Sequence, residues 1–211
     1  MPTTHHEGFL RAICENPDDD TPRLVYADWL EEQGQAGRAE FIRAQIQMTR
    51  VSSGSRRYAV LRRRALQLLA ERGEAWRGEL PKWARRRCEF RRGFVAHVGC
   101  TALQFIKQGE QLLRTVPVQS LRVRRGEGHI VKLAESPHLS RIRALDLYNN
   151  GVNSVDVEAL AASPYLCRLT TLRLGFSSLG AEGMRALAAS PALTNLTALN
   201  VSMCDLHTAA L

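Results

Sequence analysis

Residues 163–177, SPYLCRLTTLRLGFS, decide the fold because they align without a gap with two other stretches of the chain. Those stretches are SPHLSRIRALDLYNN, which begins at Ser136, and SPALTNLTALNVSMC, which begins at Ser190. The three starts are 27 residues apart. A fixed period of this size is typical of repeat proteins, in which each unit buries its apolar face against its neighbours. We therefore expect a stack of similar units.

Each copy carries apolar residues in the pattern L-x-x-L-x-L-x-x-N/C-x-L, whose L-x-L core alternates as a strand with one buried face must. The pattern positions are Ile142, Leu145, Leu147, Asn150 and Val152; then Leu169, Leu172, Leu174, Ser177 and Leu179; then Leu196, Leu199, Val201, Cys204 and Leu206. The second half of each copy changes to helical spacing. The chain thus resembles leucine-rich repeat proteins, and residues 180–190, GAEGMRALAAS, resemble the ribonuclease-inhibitor type. This resemblance implies an α/β solenoid with one strand and one helix per repeat.

The strand pattern occurs twice more upstream in degenerate form, around Leu121 and around Val98. Gly126 and Thr101 stand there at the position of the Asn. We therefore expect residues 89–211 to form a short repeat stack of about five strands, with its first two units degenerate and its last one incomplete.

Asn150, Ser177 and Cys204 share one position of the repeat. A buried turn after a strand leaves backbone groups that a small polar side chain can satisfy. We interpret these residues as a structural ladder, with no metal or redox role for Cys204.

Residues 1–88 are expected to form a small all-α domain that precedes the repeats. Apolar spacing predicts a first helix that ends at Asn16-Pro17, a second capped by Thr21 and ended by Gly34, and a third that begins near Arg38. A fourth helix is expected over residues 56–72.

This segment contains Tyr-Ala-Asp-Trp-Leu at Tyr26 to Leu30, a Gly after Glu-Glu-Gln, and Arg-Ala-Glu-Phe-Ile-Arg-x-Gln from Arg38. It resembles the repeat-companion domain at the start of many bacterial leucine-rich repeat proteins, and residues 68–81 resemble that domain's downstream continuation. The resemblance implies an architecture but no activity.

Charge is distributed unevenly along the 211 residues, whose net charge is +8. Residues 1–49 carry four Arg against nine Asp and Glu, whereas residues 50–92 carry 14 Lys and Arg against four Glu. The arginines at issue are Arg56, Arg57, Arg63, Arg64, Arg85, Arg86, Arg87, Arg91 and Arg92. Such a density predicts, as an alternative function, binding of nucleic-acid phosphates. Against it, Arg outnumbers Lys by 26 to three in the whole chain, and we expect no aromatic platform for base stacking among these arginines.

Other patterns indicate no catalysis and no cofactor. Asp18 to Asp20 lack the Gly and Glu spacing of a calcium loop. Asp28, Glu31 and Glu32 make an acidic helix face without a nucleophile, so an enzymatic site there is only a rival hypothesis. Gly126-Glu127-Gly128 lacks the third glycine of a dinucleotide loop.

The five cysteines are spaced too widely for a disulfide framework or a zinc site. No apolar run reaches the length of a membrane span, and the start lacks the regions of a signal peptide. We expect a cytoplasmic protein without a membrane partner.

Outward positions of stacked strands should form columns on a concave face, where arginine and aromatic residues are typical of binding hot spots. We expect non-enzymatic binding of a protein partner, as an adaptor, at that face. The expected residues are Arg122, Arg124, Arg125, Asp146, Tyr148, Asn149, Arg173, Phe176, Asn200 and Met203.

The third repeat stops inside its expected helix, since Leu211 aligns with Val157 and Met184. An uncovered last strand would present free backbone groups and a half-open core. We expect this edge to be covered by a partner, by a second copy of the chain through self-association, or by residues beyond the sequence.

Overall fold

The computed structural model describes residues 2–205, and within them it contains eight α-helices and six strands. The six strands form one sheet in which their order follows the chain. The chain divides into two compact units, one formed by Met1–His97 with Gln111–Pro117 and the other by Val98–Glu110 with Val118–Leu211. The domain boundary expected after residue 88 stays a prediction.

Four helices and a hairpin make up most of the first unit. The helices are α1 (Pro2–Glu15), α2 (Thr21–Glu32), α3 (Ala36–Thr49) and α4 (Arg56–Arg77), and the hairpin joins β1 (Cys88–Arg91) to β2 (Phe94–Thr101). The residue that caps α2 is Asp20, and Thr21 is already helical, so the expected cap was wrong by one residue. The reason is local: the Asp19 carboxylate accepts a hydrogen bond from the Thr21 N–H, which fixes the turn one residue earlier.

The core of the first unit is aromatic and aliphatic. Ile13, Tyr26, Leu30, Ile42 and Ile46 are buried together, as the helical spacing requires. Trp29 packs on the same cluster, where its ring stacks on that of Tyr26 at a centroid distance of 5.8 Å.

Strands of the second unit alternate with helices. After β2 come α5 (Ala102–Thr115), β3 (Ser120–Arg124), α6 (Ile130–Ala134), β4 (Ala144–Asp146), α7 (Ser154–Ala162), β5 (Thr171–Arg173), α8 (Gly180–Ala188) and β6 (Ala198–Asn200). The five strands expected from the sequence correspond by position to β2–β6, and β1 is additional. This alternation is compatible with an α/β repeat fold.

Pairing from β3 to β6 is parallel and keeps one register. Leu121 lies beside Leu145, Leu145 beside Leu172, and Leu172 beside Leu199. The first three of these leucines are buried. Each repeat therefore buries its central leucine against the next, which is how a repeat stack gains stability.

Side-chain hydrogen bonds repeat with the same period. The Ser163 hydroxyl donates to the Ala134 carbonyl and the Ser190 hydroxyl to the Ala161 carbonyl. Ser136 holds the corresponding place in the first copy, but its buried hydroxyl has no hydrogen-bond partner within the described part of the chain. The serines that begin the second and third copies thus link each of these copies to the unit before it.

No helix among the described residues is long and apolar enough to cross a membrane.

Candidate recognition surface

The exposed face of the paired strands is the candidate recognition surface. Its first column consists of Arg122, Asp146, Arg173 and Asn200, which are neighbours in the strand register. A leucine precedes each of these four residues and a leucine or valine follows it, and the alternation of a strand turns the four residues to the face opposite these apolar side chains. The first column is therefore positioned by the repeat itself.

Asp146 lies between two arginines of this column. The Arg122 Nε and the Arg173 Nη1 are each 3.6 Å from Asp146 Oδ2. The other carboxylate oxygen, Oδ1, accepts a hydrogen bond from the Tyr148 N–H at 3.0 Å. Both guanidinium groups remain about half exposed, and surface ion pairs of this kind contribute only about 0–1 kcal/mol.

The second column holds Arg124, Tyr148, Gly175 and Ser202. A Cβ on Gly175 would lie 2.7 Å from two carbons of the Tyr148 ring, so the ring occupies the space that a side chain would need. The same ring meets Phe176 edge-on at a centroid distance of 5.3 Å. Gly175 thus holds the tyrosine half-buried, while the Phe176 side chain is 46% exposed.

The third column differs from the expected outward strand positions, since it lies in the turn after each strand. Arg125, Asn149, Phe176 and Met203 all have positive φ, between 52° and 58°. Asn adopts this left-handed conformation readily, but Arg, Phe and Met are strained in it. The repeat geometry overrides the local preference because the same turn is needed in each unit. All four side chains are exposed.

Beneath the turns runs the expected polar ladder. Asn150 Nδ2 donates to the carbonyls of Val123 and Tyr148, and its Oδ1 accepts from the Gly126 N–H. The Cys204 Sγ contacts the Leu174 carbonyl at 3.3 Å. The buried Ser177 hydroxyl, however, has no hydrogen-bond partner within residues 2–205. At this position the side chain therefore does not satisfy the backbone groups that we expected it to satisfy.

Gly126 is explained by the same ladder. A Cβ there would lie 2.7 Å from Ile130 Cδ1 and 3.0 Å from Asn150 Oδ1. The glycine leaves room for the Asn150 amide to reach its neighbour's backbone. Gly126 lies between β3 and α6, at the position that Asn150 holds in the next repeat.

Three members of the arginine stretch are engaged inside the first unit. Arg64 makes two 2.7 Å hydrogen bonds to the carboxylate of Glu40 and lowers the pKa of that group. Arg85 donates to the carbonyls of Gly78 and Leu80. Arg92 donates to the Asp18 carbonyl. These three arginines stabilise the fold, because their hydrogen bonds within the unit use guanidinium donors that phosphate binding would need.

The remaining arginines of the stretch have no partner among the described residues, and they share high exposure: Arg56, Arg57, Arg63, Arg86, Arg87 and Arg91. Together they form what we call the free arginine set.

Acidic residues near Asp28 are paired with a cation. Arg43 Nη2 lies 2.6 Å from Asp28 Oδ1 and 2.7 Å from Glu31 Oε2. Among the described residues, no group of three or more His, Cys, Asp or Glu side chains is arranged to hold a metal ion. Nothing in this arrangement assembles an acid and a base around a reacting centre.

One feature escaped the sequence interpretation. Arg38 places its guanidinium carbon 4.7 Å from the Trp76 ring centroid and 5.3–5.6 Å from those of Phe41, Phe90 and Phe94. Its Nη1 is buried without a hydrogen-bond partner in the described part, and burial lowers the pKa of Arg38 to about 10. The rings belong to residues that lie up to 53 positions apart in the sequence, so the only sequence signal was the Arg that opens Arg-Ala-Glu-Phe-Ile-Arg-x-Gln.

Comparison with known proteins agrees with the repeat. A family model described as Leucine Rich repeat matches residues 165–188, which include β5 and α8. Neither the curated proteins nor the solved structures contain a match to this chain. The match supports a leucine-rich repeat protein, and such a repeat indicates a protein-interaction module of a typically non-catalytic class.

Proposed function

We propose that this chain is a non-enzymatic protein-recognition module whose exposed strand face binds an acidic segment of a protein partner. The observation that carries the proposal is the charge of that face. Arg122, Arg124, Arg125 and Arg173 are exposed on it, and Asp146 is the only carboxylate in the three columns. A face with this excess of guanidinium groups favours carboxylates, with which arginine pairs in two-pronged geometry.

The geometry of Asp146 supports reversible binding. Its two arginine contacts are long and half exposed, so a partner carboxylate can replace Asp146 at either guanidinium with little loss. Asp146 meanwhile holds both side chains over the sheet, which lowers the entropy lost when a ligand orders them.

Tyr148 and Phe176 would supply the apolar anchor. Tyr148 is fixed by Gly175 beneath it and by the edge of Phe176, so binding does not have to order its ring. Since the two rings contact each other edge-on, they offer a compact apolar knob more suited to a protein side chain than to stacked bases.

The test uses fluorescently labelled peptides of matched length, one rich in Asp and Glu and one rich in Lys, titrated with the purified chain. We expect saturable binding of the acidic peptide alone. Arg122→Gln with Arg173→Gln should weaken it at least tenfold, whereas Arg168→Gln with Arg185→Gln, two exposed arginines off the columns, should not. Equal binding of both peptides would refute recognition by charge at this face.

A native partner is sought by affinity purification with and without nuclease. Tyr148→Ala with Phe176→Ala should abolish capture of a nuclease-resistant partner. The matched control, Val155→Ala with Tyr165→Ala, removes an exposed apolar and an aromatic side chain elsewhere in the repeats and should retain it. Equal loss in both pairs would point to general destabilisation.

The alternative function is binding of nucleic-acid phosphates through the free arginine set. Its support is that these side chains are exposed and unpaired within the described chain. It predicts affinity for RNA or DNA that falls steeply with salt and is lost on Arg56→Ala with Arg57→Ala and Arg63→Ala. Arg64→Ala is the contrast, since that guanidinium is already held by Glu40.

A cytoplasmic location completes the proposal. None of the five cysteines, all of which lie within the described residues, forms a disulfide, and Cys14 and Cys100 are buried. Chains that work in oxidising compartments commonly use cysteines in disulfides.

A further inference from the structure

The two edges of the sheet differ in charge. The β1 edge contains Glu89 and Arg91 and is flanked by Arg87 and Arg92. The β6 edge, Ala198–Asn200, lies within residues 190–204, where no charged residue occurs although 24% of the chain is charged. Natural proteins protect free edges with charged side chains, because an uncharged edge is a template for another strand. Within residues 2–205, one edge of this sheet carries charged side chains and the other does not.

Backbone geometry shows what the β6 edge offers. The Ala198 N–H donates to Thr170 and the Asn200 carbonyl accepts from the Leu174 N–H, so both groups face β5. Because successive residues of a strand point their N–H and C=O groups to opposite sides, those of Leu199 face away from β5. No strand lies on that side among residues 2–205.

The Leu199 side chain is left incompletely covered as well. Leu121, Leu145 and Leu172, which precede it in the register, are 0–1% exposed, whereas Leu199 is 41% exposed. Within residues 2–205 this surface therefore combines an unpaired N–H, an unpaired carbonyl and a partly exposed leucine side chain. A strand that presents the same groups would match it.

We propose that β6 pairs with β6 of a second copy of this chain, antiparallel, about a two-fold axis beside Leu199. The Leu199 of each copy then exchanges two hydrogen bonds with its counterpart, and Ala198 of one copy lies opposite Asn200 of the other. An uncharged edge is self-complementary under this symmetry, and the positive charge of the chain lies outside residues 190–204. This inference rests on the backbone groups of the edge and on Leu199, and it does not rest on the function proposed for the strand face, although Asn200 belongs to both.

The first experiment is light scattering coupled to size exclusion, with the full chain from low micromolar to millimolar concentration. We expect the mass to rise from 23.6 kDa towards twice that value. A constant monomer mass over the whole range overturns the proposal.

The decisive experiment swaps charges across the axis. Ala198→Lys with Asn200→Lys places lysines opposite lysines and should weaken self-association at least tenfold, as should Ala198→Glu with Asn200→Glu. An equimolar mixture of the two variants should restore a dimer. Ala162→Lys, an exposed site at the end of α7, is the control and should dimerise as the parent does.

Circular dichroism and the unfolding midpoint of each variant establish that it is folded. A dimer that survives both like-charge variants, or variants that are folded but do not restore a dimer when mixed, refutes pairing through β6.

Discussion

Substitution of Gly93 by Ala tests how the first unit is held together. Gly93 ends the turn between β1 and β2 with φ +85°, a conformation that side chains rarely adopt. A Cβ there would lie 2.5 Å from Ile42 Cγ1 and 2.7 Å from Ile42 Cα. The turn cannot retreat freely, because Gln45 Oε1 accepts a hydrogen bond from the Gly93 N–H at 2.8 Å. The substitution therefore forces either the hairpin or α3 to move.

Two effects add in this variant. The left-handed backbone costs a residue with a Cβ about 1–2 kcal/mol. The new Cβ also overlaps Ile42, and overpacking of this kind typically lowers the free energy of unfolding by about 1–3 kcal/mol. Because one of the overlapping atoms is the Ile42 Cα, a rotation of the Ile42 side chain alone cannot relieve it. The free energy of unfolding should fall by about 2–5 kcal/mol, a large fraction of the stability of an ordinary domain.

Two control variants separate these effects. Gly34 also has positive φ, +76°, but nothing lies within 4 Å of its would-be Cβ, so Gly34→Ala reports the backbone strain alone. Gly54 has neither feature, and Gly54→Ala should change stability by less than about 0.5 kcal/mol. Each variant is unfolded in urea and followed by tryptophan fluorescence. All three tryptophans lie between residues 29 and 83, within the first unit.

If Gly93→Ala is no more destabilising than Gly34→Ala, the contact with Ile42 does not constrain the fold and the reasoning is wrong. A loss for Gly54→Ala as large as that for Gly34→Ala would show that the assay does not resolve backbone strain.

Three further predictions concern single groups. Asn150→Ala should lower the free energy of unfolding by about 1–3 kcal/mol, since the buried backbone groups of Val123 and Gly126 lose their hydrogen-bond partner. Ser177→Ala should be nearly neutral, because the Ser177 hydroxyl has no hydrogen-bond partner in the described chain. Urea unfolding followed by circular dichroism compares the two variants. Burial raises the pKa of Tyr26 from 10.0 to about 12, so the stability contributed by its neutral phenol is complete below pH 10 and is lost as the pH rises through 12. The free energy of unfolding should fall over this range, and the alkaline absorbance of tyrosinate should rise with it. Tyr26→Phe should show neither change at this site. Cys167 is exposed, whereas Cys100 is buried and burial raises its pKa to about 12. A thiol reagent at pH 8 should therefore label Cys167 rapidly and Cys100 only on unfolding. A fast labelling phase that persists in Cys167→Ser would contradict this.

Much of the repeat architecture was predictable because it is written in local spacing. The inward leucines Leu145, Leu147, Leu172 and Leu174 are buried as the L-x-L pattern requires. The helices after them follow from a change of period alone. Since each repeat contacts mainly its neighbours, a pattern within 27 residues is enough to define the packing of a unit.

The candidate site was predictable only in part. Arg122 and Arg173 are exposed on the strands, in keeping with the alternation of the pattern. The conformation of Arg125, Phe176 and Met203 was not foreseen, because residue type argues against positive φ there. The fixing of Tyr148 by Gly175 also needed the register between neighbouring repeats, which aligns a missing side chain with a ring.

In the arginine stretch, composition could not separate exposed residues from engaged ones. Arg64, Arg85 and Arg92 look like their neighbours in the sequence, but each finds acceptors 5 to 74 residues away. Arg38 is the extreme case, as its four aromatic contacts converge from three segments.

The sequence by itself determined the repeat, its period, its buried face and the helical nature of the first segment, because these depend on which side of a strand or helix each residue occupies. Only the tertiary structure decided which arginines are paired and which turns are strained. Those properties depend on partners that are distant along the chain, and hydrogen bonds, ring contacts and steric overlap act over a few ångströms of space whatever the separation in sequence.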